Sequence, residues 1–573
     1  MSYAGKILKI DLGNKVIKPI PLDERLCKQY IGGEGFGVKI LYDISEPNIH
    51  PLSSKNPFIL MCGTFAGLPI PASLYGVFAK SPQTQFLGEA FAKGMFAPEL
   101  KYAGYDGIVI LNKARDPCYI FIEDDEVSIR SARELWGKDT LTTIETLMEL
   151  HPRAEILCIG PAGENCVGFA SIENDFGRHA GRTGLGAVLG SKNVKAIVVR
   201  GSKGIKVNDP SALWKELEHI WEEEFSEKTE KYRLYGTPGG VKGINEMRSL
   251  PARNWHSSYV EFAEKISGEA MRSLVKKELA CLGCFVACRK LLKVNGDFVE
   301  GPEYETIYSF GTNCLIDDLE EIARLHLRCD LLGLDAISAG AITAFAIDLF
   351  ERGRLSEQQL GFNLSYGDVE AIEEFLELIA YRKGVGEIFA RGIKYAAEKF
   401  GAEQLAVHVK GLEPAGYEAR HMKAMGLGYA ISRRGACHLR SGGYEIDAKF
   451  PNLKTQERIK ALILKENQYV LYDSFGVCKF MRGFIDEHYL AQLSRVILGW
   501  NTTPEKLLEL ASNIITLARK YNVREGLTMQ DDMLPERLFK EKVNGKRLSK
   551  AAFIKELKLY YRMRGWSPEG VPR

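Results

Sequence analysis

The sequence predicts an α+β protein in which a β-rich first domain precedes two mostly helical domains. Residues 1–203 contain short runs of β-branched residues between turn signals, which is the pattern of strands. After Lys206, apolar residues recur at helical spacing in a series of long stretches. A length of 573 residues also exceeds what one hydrophobic core usually fills. We therefore expect three domains, at 1–203, 204–410 and 411–573.

Local patterns place the individual elements. Strands are predicted at 7–12, 58–61, 107–111, 118–123, 156–160 and 196–199. Helices are predicted at 212–232, 317–333, 337–352, 367–381, 385–400, 455–472, 486–498, 504–520 and 549–562. The stretch 355–367 is predicted to be a surface connection.

Composition favours a globular enzyme. The chain is 45% hydrophobic and 26% charged, and its net charge of +2 gives no reason to expect a nucleic-acid partner. No apolar run reaches the length of a membrane span, and the first residues alternate like a strand, not like an export signal. Twelve cysteines in such a chain favour reduced thiols that bind a cofactor over a disulfide framework. We expect a cytoplasmic protein with no membrane partner.

Two glycine-dense stretches, 31–37 and 181–190, are candidates for contact with a ligand. Glycine lets the backbone approach a ligand closely, and successive N–H groups can bind anions. The second stretch matches a dinucleotide-binding motif only weakly, because no acidic residue follows at the expected distance. A turn-rich sheet without a ligand is the alternative for both stretches.

Three cysteines predict a metal centre. Cys281, Cys284 and Cys288 form a CxxCxxxC motif, and both zinc and iron–sulfur centres take four ligands. Cys478 is our candidate for the fourth ligand. Zinc is less favoured, because a second CxxC or CxxH unit is missing from the sequence. Three buried thiols that serve only packing are a further alternative.

A short repeat links Cys478 to a second region. The first Asp-x-x-Gly box, 330–335, and the second, 473–478, share the order Asp-x-x-Gly-aliphatic-(Asp or Cys), and each follows a helical pattern. Glycine at this position predicts a helix end with a left-handed cap, and the aspartate can accept hydrogen bonds from a ligand. The repeat indicates two similar ligands, or one ligand with two similar halves. Two helices that merely end alike are the alternative.

These motifs resemble the tungsten-containing aldehyde:ferredoxin oxidoreductase family, in order and over essentially the whole chain. The matching segments are 80–82, 99–107, 159–165, 180–193, the CxxCxxxC motif, 300–305, both Asp-x-x-Gly boxes, 434–438 and 560–566. The resemblance implies a saddle-like β-rich base with the cofactor held between it and two helical domains.

The resemblance also implies the cofactors. Two pterins would hold one tungsten or molybdenum atom through four dithiolene sulfurs. A [4Fe–4S] cluster would be bound by the four cysteines. Backbone carbonyls of Phe91 and His179 would hold a magnesium ion that joins the two pterin phosphates. Arginine suits those phosphates, because its planar group donates two hydrogen bonds to an anion.

The resemblance assigns residues to the two pterins. It places these residues at the pterins and their phosphates: Phe91, Ala92, Lys93, Gly94, Arg178, His179, Gly181, Arg182, Asp330, Leu334, Asp335, Arg433, Arg434, Arg440, Asp473 and Val477. The sequence departs from the family at Leu74, where an arginine is expected. Arg324 and Leu327 replace the family's Glu-x-x-His iron ligands, so a dimer bridged by iron is not expected.

The implied reaction oxidises an aldehyde to a carboxylic acid and passes two electrons on through the cluster. Glu305 would be the general base, His438 would hydrogen-bond the substrate oxygen, and Tyr417 would orient the substrate. Taken singly, each side chain is more commonly a surface carboxylate, a packed histidine or a packed tyrosine.

Other functions remain open at this stage. The chain could be the active-site subunit of a low-potential reductase that acts on an acyl thioester or an aromatic ring. It could also be a non-catalytic iron–sulfur electron-transfer subunit, but the second box and Glu305 would then have no role. A radical S-adenosylmethionine enzyme is disfavoured, because its CxxxCxxC motif has the reverse spacing.

The expected electron acceptor is a ferredoxin or a ferredoxin-like iron–sulfur subunit. Basic residues flank the cysteine motif, and acidic carriers would be attracted to a basic surface. The candidates for this surface are Lys276, Lys277, Arg289, Lys290 and Lys293.

Overall fold

The computed structural model of the protein describes residues 2–294 and 296–573. The first part of the chain forms two six-stranded sheets, with orders β2-β1-β6-β3-β4-β5 and β11-β10-β9-β12-β7-β8. Their strands are β1 Lys6–Asp11, β2 Val16–Pro21, β3 Phe58–Cys62, β4 Tyr75–Lys80, β5 Leu87–Ala92, β6 Gly107–Leu111, β7 Cys118–Glu123, β8 Glu126–Ser131, β9 Glu155–Cys158, β10 Ile172–Asn174, β11 Arg178–Ala180 and β12 Val194–Arg200. A third, antiparallel sheet lies later in the chain and consists of β13 Val275–Leu279, β14 Arg289–Val294 and β15 Asp297–Glu300.

Helices accompany the sheets and form most of the remaining chain. In the first domain they are α1 Glu24–Tyr30, α2 Gly33–Ile44, α3 Phe96–Tyr102, α4 Thr140–Leu150, α5 Pro161–Glu164 and α6 Leu185–Ser191. The following helices are α7 Pro210–Glu224, α8 Glu227–Tyr235, α9 Val241–Glu246, α10 Gly268–Arg272, α11 Tyr304–Thr306, α12 Leu319–Leu332, α13 Ala336–Glu351, α14 Glu357–Leu360, α15 Val369–Ala380, α16 Gly386–Phe389 and α17 Ile393–Phe400. The last are α18 Lys423–Ile431, α19 Gly443–Lys449, α20 Thr455–Phe475, α21 Glu487–Leu498, α22 Pro504–Arg524, α23 Glu536–Lys540 and α24 Lys550–Met563.

Apolar residues hold the two large sheets together. Every residue of β3 and β4 is buried, as expected for strands covered on both faces. The facing sides of the sheets share one core that includes Leu60, Ile108, Ile120 and Val199. The other side of the first sheet is covered by α2 and α22, so a helix from the last third of the chain completes the first domain.

The predicted order of a β-rich part followed by helical parts is confirmed, with local differences. The predicted helix 212–232 is two helices, because Ser226 caps α8 by accepting a hydrogen bond from Lys228 N. The predicted helix 385–400 is also divided, at Gly392, whose φ is 93°. The stretch 355–367 is not simply a surface connection, since it contains α14 and buries Leu355 and Leu364.

Several elements were not predicted from the sequence. They include the helices of the first domain, which lie between strand patterns, six of its strands (β2, β4, β5, β8, β10 and β11), the sheet β13–β15, and helices α18 and α19. Strand β13 reads Val-Lys-Lys-Glu-Leu, which lacks a strand's alternation. The domain boundaries stay a prediction, since the largest apolar cluster contains residues from Ile31 to Trp566. Among residues 2–294 and 296–573, the structure contains no helix with the length and apolar character needed to cross a membrane.

Both Asp-x-x-Gly boxes end a helix against one of the large sheets. Gly333 and Gly476 have left-handed φ values of 73° and 88°, which confirms the predicted caps. A Cβ on Gly333 would lie 2.8 Å from Gly160 N, and one on Gly476 would lie 2.9 Å from the Cα of Gly63. Gly160 and Gly63 follow β9 and β3, so each helix end touches the backbone just beyond a strand.

We expect Gly333→Ala and Gly476→Ala each to lower the unfolding temperature measured by scanning calorimetry. An added side chain would meet a left-handed conformation, which costs about 1–2 kcal/mol, and would also press on the neighbouring backbone. Gly361→Ala is the matched control, because Gly361 ends α14 with a φ of 93° but a Cβ there would have no neighbouring atom within 4 Å. A loss no larger than that of the control would contradict the importance of the backbone contact.

Candidate active site

A cavity of about 660 Å³ lies between the first domain and the helical part of the chain. Most of the predicted cofactor and catalytic residues line it. They are Phe91, Ala92, Lys93, Arg178, His179, Gly181, Arg182, Glu305, Asp330, Leu334, Asp335, Tyr417, Arg434, His438 and Arg440. The other four, Gly94, Arg433, Asp473 and Val477, are buried and do not belong to this lining.

The first Asp-x-x-Gly box forms one wall. Asp330 Oδ1 lies 3.0 Å from His179 Nε2, and Asp335 Oδ2 lies 3.1 Å from Arg182 Nε. Burial alone would lower the pKa of His179, but the Asp330 carboxylate raises it to about 9. Asp335 also caps α13 by accepting hydrogen bonds from Ile337 N and Ser338 Oγ. The two aspartates therefore fix a histidine and an arginine of the first domain.

The second box is part of a buried charge network. Asp473 accepts hydrogen bonds from Arg440 Nη2 at 2.7 Å and from Lys479. We call the following group the arginine–carboxylate cluster: Glu34, Glu89, Arg433, Arg440, Asp473 and Lys479. Its side chains are almost fully buried, so its charges depend on one another.

Several residues of this charge network and its surroundings could not be predicted from the sequence. Glu34 lies within a glycine-dense stretch, and Glu89 occupies a buried strand, so neither has a pattern that indicates its role. Cys437 accepts hydrogen bonds from Arg434 Nη2 at 2.8 Å and from Leu439 N. Burial would raise the pKa of the Cys437 thiol, but Arg434 and two other arginines lower it overall. Cys437 thus fixes the turn that carries His438.

The glycine-dense stretches serve mainly packing within the chain. A Cβ on Gly33 would lie 2.2 Å from Asp473 O, and one on Gly186 would lie 2.2 Å from Ser171 O. Gly181 differs, because it lines the cavity and the nearest atom to its Cβ position is 3.6 Å away. The predicted approach to a ligand is therefore available at Gly181, whereas Gly33 and Gly186 approach other parts of the chain.

Several buried guanidinium groups have unused donors. Arg178 Nε, Arg182 Nη1, Arg434 Nε and Arg440 Nε have no hydrogen-bond partner among the described residues. Unsatisfied buried donors are costly, and cationic ones are suited to an anion. Four such nitrogens around one cavity fit the phosphate groups of a pterin cofactor.

Glu305 and His438 face each other across the cavity. Glu305 Oε2 accepts a hydrogen bond from Gly416 N at 2.9 Å, and Oε1 lies 3.5 Å from His438 Nδ1. Burial raises the pKa of Glu305 to about 8. Burial, and then nearby cations led by Arg182, hold the pKa of His438 well below its usual value. Both shifts favour a protonated Glu305 beside a neutral His438 imidazole over an ion pair.

Three tyrosine rings are stacked next to this pair. Tyr417 lies between Tyr304, 5.2 Å away, and Tyr444, 4.5 Å away, measured between ring centroids. Its ring centroid is 5.7 Å from that of His438. The Tyr304 hydroxyl donates a hydrogen bond to Gly416 O, close to the group that holds Glu305. Tyr417 therefore belongs to an aromatic wall beside Glu305 and His438.

The four predicted cluster ligands line a second, small cavity. Cys281, Cys284 and Cys288 lie in the connection between β13 and β14, and Cys478 follows the end of α20. Among the residues described, no three His, Cys, Asp or Glu side chains are arranged to bind one metal ion. Four cysteines around one cavity match the number of protein ligands that a [4Fe–4S] cluster takes.

Two cations connect the cavities. Lys93 Nζ lies 3.1 Å from Cys478 Sγ, and Arg178 Nη2 lies 3.9 Å from Cys288 Sγ. Both residues line the large cavity and the small one. They therefore lie between the large cavity and the cysteines that are predicted to bind a cluster.

The prediction of a basic surface beside the cysteines is partly wrong. Arg289 is buried and bonded to Glu300 and Asp175, and Lys290 is buried with its Nζ on Arg233 O. As successive residues of β14, Arg289 and Lys290 point to opposite faces of the strand, and both are covered there by other parts of the chain. Lys276, Lys277 and Lys293 are exposed.

Helix α12 lacks the Glu-x-x-His iron ligands noted above and forms ion pairs within the chain instead. Arg324 lies within 3.4 Å of Glu321, Glu370 and Glu373. His326 is buried and its Nε2 is 3.7 Å from Asp330 Oδ2, so it is a packed histidine in the wall of the large cavity.

Comparison with known proteins agrees with this geometry. The family model for the N-terminal domain of aldehyde ferredoxin oxidoreductase matches residues 7–201, and the model for its domains 2 and 3 matches residues 213–573. Tungsten-containing aldehyde ferredoxin oxidoreductases of Pyrococcus furiosus and Thermococcus kodakarensis are 36% and 35% identical, over 99% of this chain and 97% of each relative.

Two further relatives have other activities in their names. The WOR-like subunit of an aliphatic sulfonate oxidoreductase from Pyrococcus furiosus is 32% identical, over 100% of this chain and 96% of its own. The solved active-site complex BamBC of benzoyl coenzyme A reductase, bound to 1,5-dienoyl-CoA, matches with a TM-score of 0.87 at 25% identity, covering 100% of this chain and 96% of that one. The predicted resemblance is confirmed, and the chain belongs to the aldehyde ferredoxin oxidoreductase family, whose members named above are oxidoreductases.

Proposed function

We propose that this chain oxidises an aldehyde to a carboxylic acid at a pterin-bound tungsten centre. The electrons then leave through a [4Fe–4S] cluster to a ferredoxin-type carrier. The observation that carries the proposal is the pair Glu305 and His438 in a cavity ringed by arginines with unused donors. The overall reaction consumes water and releases two protons and two electrons for each aldehyde.

The residues around the cavity fit the two pterins. Arg178, Arg182 and Arg434 would hold phosphate oxygens, and Asp330 would accept hydrogen bonds from a pterin ring. The carbonyls of Phe91 and His179 are our candidates for the magnesium ion. When bound, the metal–pterin centre supplies two-electron redox chemistry, and the cluster carries single electrons away.

Glu305 would act as the base in its carboxylate form. Gly416 N–H holds Oε2, which leaves Oε1 free to take a proton from water or from a hydrated aldehyde. His438, being neutral, can donate an N–H to the substrate oxygen and stabilise negative charge that develops there. The tyrosine wall limits how the substrate can lie between them.

A low-potential reductase active on an acyl thioester or aromatic ring is the second candidate. The structural match to the benzoyl coenzyme A reductase complex favours it. The two functions predict opposite results with purified protein. We expect tungsten and roughly four iron atoms per chain by elemental analysis, and reduction of a viologen dye by a panel of aldehydes. Oxidation of cyclic dienoyl thioesters with no aldehyde activity would favour the reductase.

We expect Glu305→Gln to lower kcat about a hundredfold or more, because it removes the base and keeps the size. In the parent enzyme, kcat/KM should rise with pH and reach half of its plateau near pH 8, since the carboxylate form of Glu305 grows as the pH passes its pKa. The variant should lose this rise. Tungsten and iron contents must match those of the parent, and an unchanged kcat at equal metal content would remove Glu305 from the mechanism.

We expect Lys93→Met to lower the reduction potential of the cluster. A positive N–H group on Cys478 Sγ stabilises the more negative reduced state, so its removal disfavours reduction. The measurement is a redox titration followed by electron paramagnetic resonance. Lys93→Arg keeps the charge and is the matched control, with a smaller expected shift. Equal potentials in the parent and Lys93→Met would show that Lys93 does not contact a cluster ligand.

A further inference from the structure

The large cavity has a basic border where it reaches solvent. Besides the cations already described, five more line the cavity, and we call them the cation rim: Lys228, Lys231, Lys449, Lys465 and Arg482. Lys228 and Lys231 lie on α8, Lys449 on α19 and Lys465 on α20. Lys228, Lys231 and Lys449 are exposed, so a molecule that enters the cavity beside them meets positive charge first.

The carboxylates beside the cation rim already have cationic partners. They pair as follows: Glu223 with Lys228, Glu300 with Arg289, Glu303 with Arg178, and Glu445 with both Lys465 and Arg482. Glu227 and Glu230 of α8 are exposed but do not line the cavity. Within the described part of the chain, Lys231 and Lys449 form no ion pair. The rim therefore has positive charge that the walls of the cavity do not neutralise.

Lys231 has its amino group inside the mouth of the cavity. A Cβ on Gly239 would lie 3.1 Å from Lys231 Cγ, and one on Gly240 would lie 3.5 Å from both Lys231 Nζ and Tyr304 Cδ2. The lysine side chain thus passes along two glycines and ends beside the ring of Tyr304. Because Gly240 has no side chain, the space between the amino group and this ring is left for a ligand.

Tyr232 places a second hydrogen-bond donor next to Lys231. Lys231 Nζ and Arg482 Cζ lie 5.9 and 5.8 Å from the centroid of the Tyr232 ring. The Tyr232 hydroxyl accepts a hydrogen bond from Arg482 Nη2 at 2.8 Å, so its own proton can be donated to a ligand. Partial burial, and then Arg482, lower the pKa of Lys231, and Glu269 opposes this without reversing it. A bound anion would stabilise the protonated amine.

Stacked tyrosines connect the cation rim to the proposed catalytic pair. The Tyr304 ring beside Lys231 is stacked on Tyr417, whose ring lies next to that of His438. A molecule that lies along these rings has one end near Lys231 and the other near His438 and Glu305. An aldehyde group at the inner end therefore reaches the catalytic pair while a second group at the outer end contacts the rim.

We propose that the preferred substrates are aldehydes with an anionic group, a carboxylate or a phosphate ester, at the end remote from the carbonyl. Lys231 binds this group, together with the Tyr232 hydroxyl and the positive field of the cation rim. The inference names the substrate class of the proposed function and rests on that function, since oxidation still takes place at Glu305 and His438. The anionic group undergoes no bond change, so the reaction still consumes water and releases two protons and two electrons.

The test compares charged and neutral aldehydes of similar shape, with benzyl viologen as the electron acceptor. Lys231→Met should lower kcat/KM for 4-formylbenzoate about tenfold, mainly through KM, because it removes one charge-assisted hydrogen bond. The same variant should leave kcat/KM for benzaldehyde within about twofold of the parent value. Lys231→Glu should instead favour 4-(trimethylammonio)benzaldehyde. Lys215→Met changes an exposed lysine of α7 outside the cavity, and this matched control should alter none of these values.

Two further substrate pairs identify the anionic group. Succinic semialdehyde is compared with butanal for a carboxylate, and glyceraldehyde 3-phosphate with glyceraldehyde for a phosphate ester. The pair whose charged member loses more kcat/KM in Lys231→Met identifies the group that Lys231 prefers. Added salt should reduce the advantage of the charged member in the parent, because it screens the rim.

The outcomes separate this inference from the proposed function. If the parent oxidises benzaldehyde but Lys231→Met changes kcat/KM equally for charged and neutral aldehydes, or for neither, the anion site is wrong and the function stands. If the parent oxidises no aldehyde of either kind, the proposed function fails and the substrate inference fails with it.

Discussion

The site depends on two contacts in which a helix end touches the backbone beyond a strand. Gly333 meets Gly160 beside the second sheet, and Gly476 meets Gly63 beside the first. Backbone hydrogen bonds from Ser171 N to Gly333 O and from Phe65 N to Phe475 O complete the two junctions. With no side chain between them, the helix ends lie as close to the sheets as backbones allow. The acidic residues of both boxes are thereby held at the cavity or directly behind it.

The two junctions resemble each other, but their aspartates have different surroundings. Asp330 lines the cavity and pairs with His179, so it remains within reach of a ligand. Asp473 is enclosed by Arg440 and Lys479 within the arginine–carboxylate cluster. Such buried charge contributes little net stability, because desolvation offsets much of the attraction. The effect of this charge network is to position Arg440. Asp473 holds the Arg440 side chain, whose Nε has no hydrogen-bond partner among the described residues.

The sequence predicted features that depend on local chemistry. The left-handed caps of both boxes follow from the position of glycine, and the buried strands follow from their apolar runs. The arginine–carboxylate cluster was not predictable in full, because Glu34 and Glu89 acquire partners only when distant segments meet. The burial of Arg289 and Lys290 depends on the partners that they meet once β14 is folded, namely Glu300 and the Arg233 carbonyl. The presence of basic residues near a motif does not predict those partners.

The arginines that line the cavity also affect the proton affinity of Glu305 and His438, the proposed catalytic pair. Burial has the largest effect on both groups, and Arg182 then lowers the pKa of His438 as well as that of Glu305. An anion bound to Arg182 would neutralise part of this positive field, so cofactor binding and protonation of the pair are thermodynamically linked. Arg182 is held on two sides, by Asp335 and by the Glu413 carbonyl. A guanidinium group fixed in this way would hold a bound phosphate at a constant distance from Glu305, so the size of the linkage depends on these two contacts.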